Sequence, residues 1–246
     1  MTVLSTISKF KRDKHTRPIE DLLDMLVNLN DLSIEIHDAR RKHDSTENLR
    51  SFIGKALQLD ADLSSWKFLL SPLWHYTVVD LRQHADDGAY FPLYGDRYHI
   101  YNNINIAAFW NHYRQTLIIV HDMIRSMALR LWGVESTLES QQMVVRSVAI
   151  IQEMADDICA SVRYHLAVSQ TGYGGTIRLP WPLFVAGICT GAGSATREWI
   201  IQTLDSIGHT TCIQQAIGMS QLLKNGEEIN ILPGSLRREL ELDQLY

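Results

Sequence analysis

Glu153, Asp156 and Asp157 lie close together in a segment of helical periodicity. Spacings of three and four put Glu153 beside both aspartates. Carboxylates so placed could hold magnesium against a diphosphate, as in helical terpene cyclases. The fuller Asp-Asp-x-x-Asp pattern of those enzymes breaks off here, because Cys159, Ala160 and Ser161 follow. A solvated acidic face is the expected reading.

Asn111 and Arg114 fall on a helix otherwise rich in Trp and Leu. An arginine taken into such surroundings needs a carboxylate partner. Asp122 is too far along the helix to be that partner. The expectation is a core ion pair that locks two helices, although a ligand carboxylate or diphosphate would meet the same physical demand. Trp110, Asn111 and Arg114, with Trp74, His75 and Tyr98, are therefore the candidate ligand-binding residues. His75 stands between Trp74 and Tyr76, where it could be a general base in an aromatic pocket. A half-buried, hydrogen-bonded histidine is the plainer expectation. No catalytic residue can be named.

Other constellations fall short. Ten histidines form no His-Glu-x-x-His pattern. His112 and His121 are on different faces of one helix, and His37 and His43 are followed by Asp38 and Asp44 without ligand spacing, so no metal is expected. Gly172-Tyr173-Gly174-Gly175 and Gly187 to Gly193 have no phosphate-loop lysine after them and read as linkers. There is no Gly-x-Ser-x-Gly elbow, and no cofactor is expected. Cys159 falls in an apolar helical stripe, which raises a thiol pKa and makes it inert. Cys159, Cys189 and Cys212 are too far apart for a disulfide framework or a zinc spacing.

The elements that carry these residues read as helices. Ile19, Leu22, Leu23, Leu26, Leu29 and Leu32 recur at helical spacing after Pro18. A second helix runs from about Ser45 to Leu70, with Ser45 or Thr46 as cap and Pro72 near its end. Residues 80–101 are irregular and aromatic, with Tyr90, Phe91, Tyr94, Tyr98 and Tyr101. Asn103 to Trp132 is the clearest helix, and Gly133 is placed to end it. Thr137 to Ser169 form another, with Val144, Val148, Ile151, Ala155, Ile158, Val162 and Leu166 as one stripe. A second flank of Val145, Ala149 and Cys159 predicts burial on more than one side. Pro180-Trp181-Pro182 predicts an extended or turn conformation before a short apolar helix. Helices over about Ala195–Ile207, ending at Gly208, and Thr211–Leu223, ending at Asn225-Gly226, complete the set. Strands should be few or absent, and the fold class is all-α: an irregular multi-helix bundle.

The chain has 246 residues, enough for a large core. Its 46% apolar and 21% charged residues are those of a globular protein. A net charge of −5 argues against the whole chain wrapping nucleic acid. No apolar run reaches membrane-spanning length, and the start has no signal-peptide core, so a nuclear or cytoplasmic protein is expected. Residues 1–17 read as a flexible basic arm, residues 18–226 as a single helical domain, and 227–246 as a mobile tail. Lys9, Lys11, Arg12, Lys14 and Arg17 make the arm basic, which suits nuclear import or phosphate contact, although a solvated terminus is the plainer expectation.

Several blocks carry a resemblance. Leu59 to Trp66 contains a Leu-x-x-Trp helix, and Ala107-Ala108-Phe109-Trp110-Asn111-His112-Tyr113-Arg114 a Trp-Asn-x-Tyr-Arg helix. Ile158-Cys159-Ala160-Ser161-Val162, Leu179 to Gly187, Arg197-Glu198-Trp199-Ile200 and Ile207-Gly208 follow in order. Gln214-Gln215-Ala216 and Leu222-Leu223 close the set. Together, over roughly residues 55–225, they resemble the fungal-specific transcription factor domain, the helical regulatory region that follows the zinc binuclear cluster in many fungal activators. The resemblance implies an all-α regulatory module acting through a protein partner or a small effector, with a homodimer among the arrangements open to it. The alternative is a stand-alone enzyme of fungal secondary metabolism, a cyclase or isomerase using an aromatic-lined pocket on the same scaffold. Two departures stand out. Three distant cysteines cannot form the six-thiolate zinc cluster, so no autonomous sequence-specific DNA binding is expected. Arg163 occupies a position where the family generally has proline, which predicts an unbroken helix here.

Overall fold

The computed structural model describes residues 17–40, 45–81, 93–168 and 174–226. Among them are seven α-helices and one two-stranded sheet. The helices are α1 (Arg17–Arg40), α2 (Thr46–Leu69), α3 (Ile104–Glu135), α4 (Leu138–Val168), α5 (Pro180–Cys189), α6 (Ala195–Thr211) and α7 (Gln214–Lys224). Strands β1 (Thr77–Asp80) and β2 (Arg97–Ile100) lie between α2 and α3 and pair antiparallel, with Thr77 opposite Ile100 and Asp80 opposite Arg97. The class is all-α. The expected arm at 1–16, the tail from 227, Tyr90, Phe91, His43, Asp44, Ser169, Gly172 and Tyr173 lie outside the described residues, while Arg17, assigned to the arm, opens α1.

Side-chain caps fix several helix starts. Ser45 accepts from the Asn48 amide at 3.2 Å, Ser194 from the Arg197 amide at 3.2 Å, and Asn103 from the amides of Asn105 and Ile106, both at 3.0 Å. Each supplies an acceptor that the first helical turn lacks. Helix α3 is the spine. It is buried on nearly every face, including Ala107, Ile118, Val120 and Ala128, and packs between α2, α4 and α5. An all-round apolar sequence is what such a position requires. Leu22, Met25, Leu29, Leu32 and Ile36 of α1 close the core over α2, and the Trp66 indole donates to the Pro18 carbonyl at 2.7 Å. Leu23, expected in that stripe, faces out at 52% exposure.

The structure corrects several boundaries. Helix α3 runs through Gly133 to Glu135 and ends where Ser136 turns left-handed at φ 49°. Gly133 falls in the exposed final turn, where a glycine costs about 1 kcal/mol at most, and Arg50 holds Glu135 at the helix end. Helix α6 likewise continues through Gly208 to Thr211, and Cys212 at φ 59° ends it. Gly208 serves a different need: a Cβ there would collide with Ile217, so its hydrogen lets α7 approach. That helix starts at Gln214, later than Thr211, because the left-handed Cys212 must turn the chain first. Pro180 and Pro182 are not in an extended segment; they form the first turn of α5, where their missing N–H groups cost nothing. In α4 the expected second flank holds only for the C-terminal half. Val145 and Ala149 of that flank are exposed, as is Val148 of the main stripe at 47%, whereas Ile158 through Arg163, Cys159 among them, are all buried. The helix passes through Arg163 without a break, as its side chain's departure from proline predicted. No helix among the described residues is long and apolar enough to cross a membrane.

Candidate functional site

The Trp110–Asn111–Arg114 turn of α3 faces the second half of α4, and β2 lies against the same stretch of α4. Arg114 is 1% exposed. One guanidinium nitrogen donates to the Tyr101 hydroxyl at 2.7 Å and to the Asn111 side-chain carbonyl at 2.9 Å. The other terminal nitrogen meets His99 Nδ1 at 3.3 Å. Its Nε faces Asp157 Oδ2 at 3.7 Å. The expected carboxylate partner is therefore Asp157, and the pair joins α3 to α4. Asp122 instead bonds Arg125, one turn along.

Asp157 is where the solvated acidic face fails. It accepts from Arg97 at 3.1 Å and from the Tyr76 hydroxyl at 3.4 Å, and His99 Nε2 stands at 3.7 Å. Its neighbour Asp156 is also engaged, accepting from Tyr94 at 2.6 Å and Gln152 at 2.8 Å. Only Glu153 is exposed. The cause is the β-hairpin. Strand alternation points Arg97 and His99 to one side, and packing of β2 on α4 brings both to the aspartate.

Because Arg114 can only donate, His99 Nδ1 is the acceptor and Nε2 carries the proton; this tautomer is assigned from the network. Burial, then the charges of Arg114 and Arg97, pull the His99 pKa down to about 2. Asn111 extends the network. Its amide nitrogen donates to Ser161 at 2.9 Å and meets His165 Nε2 at 3.3 Å, while His165 Nδ1 donates to the Gly175 carbonyl at 3.2 Å. Burial lowers the His165 pKa to about 4.

Aromatic rings enclose the guanidinium. Tyr76, Trp110 and Tyr101 have centroids 4.9, 5.6 and 5.9 Å from its central carbon. The Trp110 indole donates to the Trp74 carbonyl at 2.7 Å. Of the six candidate residues, Trp110, Asn111 and Arg114 thus meet in one place. Tyr98 is nearby but on the other face of β2, with the Arg163 guanidinium 4.3 Å above its ring. The Trp74 ring packs on Phe109 instead and lines a separate open groove of about 400 Å³ with Ile19, Leu73 and Ile106. His75 is exposed, because the Pro72–Trp74 turn swings it outward, so it is neither half-buried nor in an aromatic pocket. Asp157, His99, Tyr76, Tyr101 and Arg97 were missed. The period-two run Arg97-His99-Tyr101 was the signal that could have found three of them.

A second buried centre joins α2, α3 and α4. His121 Nε2 meets Asp60 Oδ1 at 3.3 Å and its Nδ1 meets Ser147 Oγ at 3.3 Å, while Arg146 donates to Asp60 Oδ2 at 3.3 Å. The His121 hydrogen bond holds the Asp60 carboxyl below its usual range against the opposing effect of burial, and Arg146 adds to the lowering. The order Asp–His–Ser is that of a nucleophile with its base. Ser147 sits mid-helix, however, where backbone N–H groups are spent on the preceding turn and none is left to steady an oxyanion. This centre is a helix junction. Cys159 is buried in the same core and its thiol pKa is pushed well up by that burial, which keeps it protonated and inert.

A family model described as the fungal specific transcription factor domain matches residues 18–225. No curated protein and no solved structure matches the chain. The matched range takes in α1, which the residue blocks quoted above did not reach.

Proposed function

The chain belongs to the fungal specific transcription factor domain family, and from that premise we propose that it is a regulatory module whose contacts with a protein partner are biased by a small effector at the Arg114–Asp157 centre. The observation that carries the reading is that one partly exposed carboxylate, Asp157, ties the hairpin, α3 and α4 together through Arg97, Tyr76 and Arg114. A change at that carboxylate alters how three elements hold one another, which is what a two-state element needs. DNA reading would come from elsewhere. Three cysteines, two of them buried, cannot supply the six paired thiolates of a binuclear cluster. The module would then work in the nucleus beside a DNA-bound partner. In the cyclase or isomerase alternative the aromatic rings would surround a substrate. Here Tyr76, Tyr101 and Trp110 surround the arginine.

The test is to tether the whole chain to a heterologous DNA-binding domain in a fungal reporter strain, and in parallel to delete its gene. A severalfold change in reporter output, and changed transcripts on deletion, are the expected results. Unchanged transcripts with loss of a metabolite would replace this reading with the enzyme one.

A further inference from the structure

Asp157 is out-numbered by its donors. Arg97 and Tyr76 bond to it. His99 Nε2 and Arg114 Nε, on side chains 0% and 1% exposed, have no hydrogen-bond partner and face its two oxygens at 3.7 Å. That separation is too long for a hydrogen bond, and buried donors left unmet are costly. The reason is covalent. An aspartate carboxylate is held one methylene from its helix, and it cannot move toward the hairpin and toward α3 together. A carboxylate free of the backbone has no such tether. Charge points the same way. With His99 neutral, two guanidinium groups meet a single carboxylate, and Asp156 is occupied by Tyr94 and Gln152. The site also has a mouth. The Asp157 side chain is 14% exposed and that of Arg97 44%, and the half-buried Tyr76 ring, which packs on the Arg114 guanidinium, stands beside them.

We infer that Asp157 is the resident occupant of an anion site, and that a small aromatic carboxylic acid from outside the chain displaces it. The acid's carboxylate takes the donors of Arg97, His99 and Arg114, its ring lies against the Tyr76 ring, and Asp157 turns to solvent. This rests on the effector reading above and names the effector's chemical class.

The experiment uses the full-length protein, Asp157→Ala, and benzoate as the probe. Removing the aspartate leaves buried donors and charge unmatched and should lower Tm by roughly 10 °C. Benzoate at millimolar concentration should restore most of that loss, saturably. Acetate should do so more weakly and phosphate not at all. Asp157→Asn, whose amide still fills the space, should not respond. The wild type should bind benzoate at least tenfold more weakly than Asp157→Ala, because its own carboxylate competes. Where Asp157→Ala is insoluble, recovery of folded protein on dilution from urea with and without benzoate decides the same question. Equal Tm or equal recovery with and without benzoate would overturn the site. Binding confined to the variant would overturn displacement in the native protein, equal rescue by acetate would overturn the aromatic class, and equal rescue by phosphate would overturn the carboxylate. None of these readouts involves transcription. Rescue with a silent reporter would therefore leave the anion site standing and remove the regulator reading, and the reverse pairing would do the opposite.

Discussion

Two buried charged centres among the described residues, one at Asp60 and one at Asp157, differ in how their donors and acceptors balance. Around Asp60 the balance is nearly closed: one carboxylate receives one imidazole and one guanidinium, and the imidazole's other nitrogen meets Ser147. Around Asp157 four side chains converge on one carboxylate and two donor atoms are left short of it. Both centres cross-link helices of the same core. A closed set has nothing to gain from a newcomer, whereas a set with surplus donors gains from any acceptor that reaches them. Stability and responsiveness are therefore carried by different places in one helical framework.

The harshest way to break the comparison is to delete the central cation. Arg114→Ala should destabilise by about 3–5 kcal/mol, because it strands Asp157 and Asn111 in the core. Asp60→Ala should cost less, about 2–3 kcal/mol, since the His121 ring it leaves behind still meets Ser147 and the Arg146 guanidinium is largely open to solvent. Urea midpoints of the two variants check the order.

Acid separates the centres next. His99 and His165 have folded pKa values of about 2 and about 4, both below the ordinary value near 6.5. Below about pH 6.5 the unfolded chain takes up protons that the folded chain refuses, so stability is complete above that pH and falls as pH drops toward the folded values. The loss at pH 5 is about 2 kcal/mol per histidine. Asp60 behaves differently, since its lowered pKa contributes stability above about pH 3.9 that goes only as pH falls through the folded value. Replacing His165 with Gln should flatten the slope of stability between pH 6 and 4 by about one proton, and a denaturant titration across that range measures it. An unchanged slope would mean that His165 is not held neutral.

The mildest comparison is between the outer arginines. Arg97 and Arg146 each reach a buried carboxylate from a side chain 44% and 65% exposed. Alanine at either should cost under about 1 kcal/mol, as exposed ion pairs do. Thermal unfolding in low and high salt would rank them, with Arg97 the larger because it is the less exposed.

Much of this framework could be read from residue spacing. Ser45 announced the start of α2, and the Trp110–Leu131 stripe announced the spine. The demand of Arg114 for a carboxylate followed from its apolar surroundings. The identity of that carboxylate did not, because the residues around Asp157 are locally polar and only the hairpin brought against α4 buries them. His75 was misplaced for a related reason, since its neighbours Trp74 and Tyr76 are both packed while a 3₁₀ turn sends the residue between them outward. Gly133 and Gly208 looked like stops because glycine ends helices on local grounds; at Gly208 the close approach of α7 overrides that preference, and at Gly133 the helix closes two residues later.

Residue order alone determined which segments become helices and that a buried cation would need an anion, because periodicity and the cost of an unpaired charge act within a few turns of chain. Only the tertiary structure decided which aspartate answers Arg114 and that it answers incompletely. That depends on Arg97, His99 and Tyr76 arriving from a hairpin distant in the chain, and on how far a side chain anchored to one helix can reach.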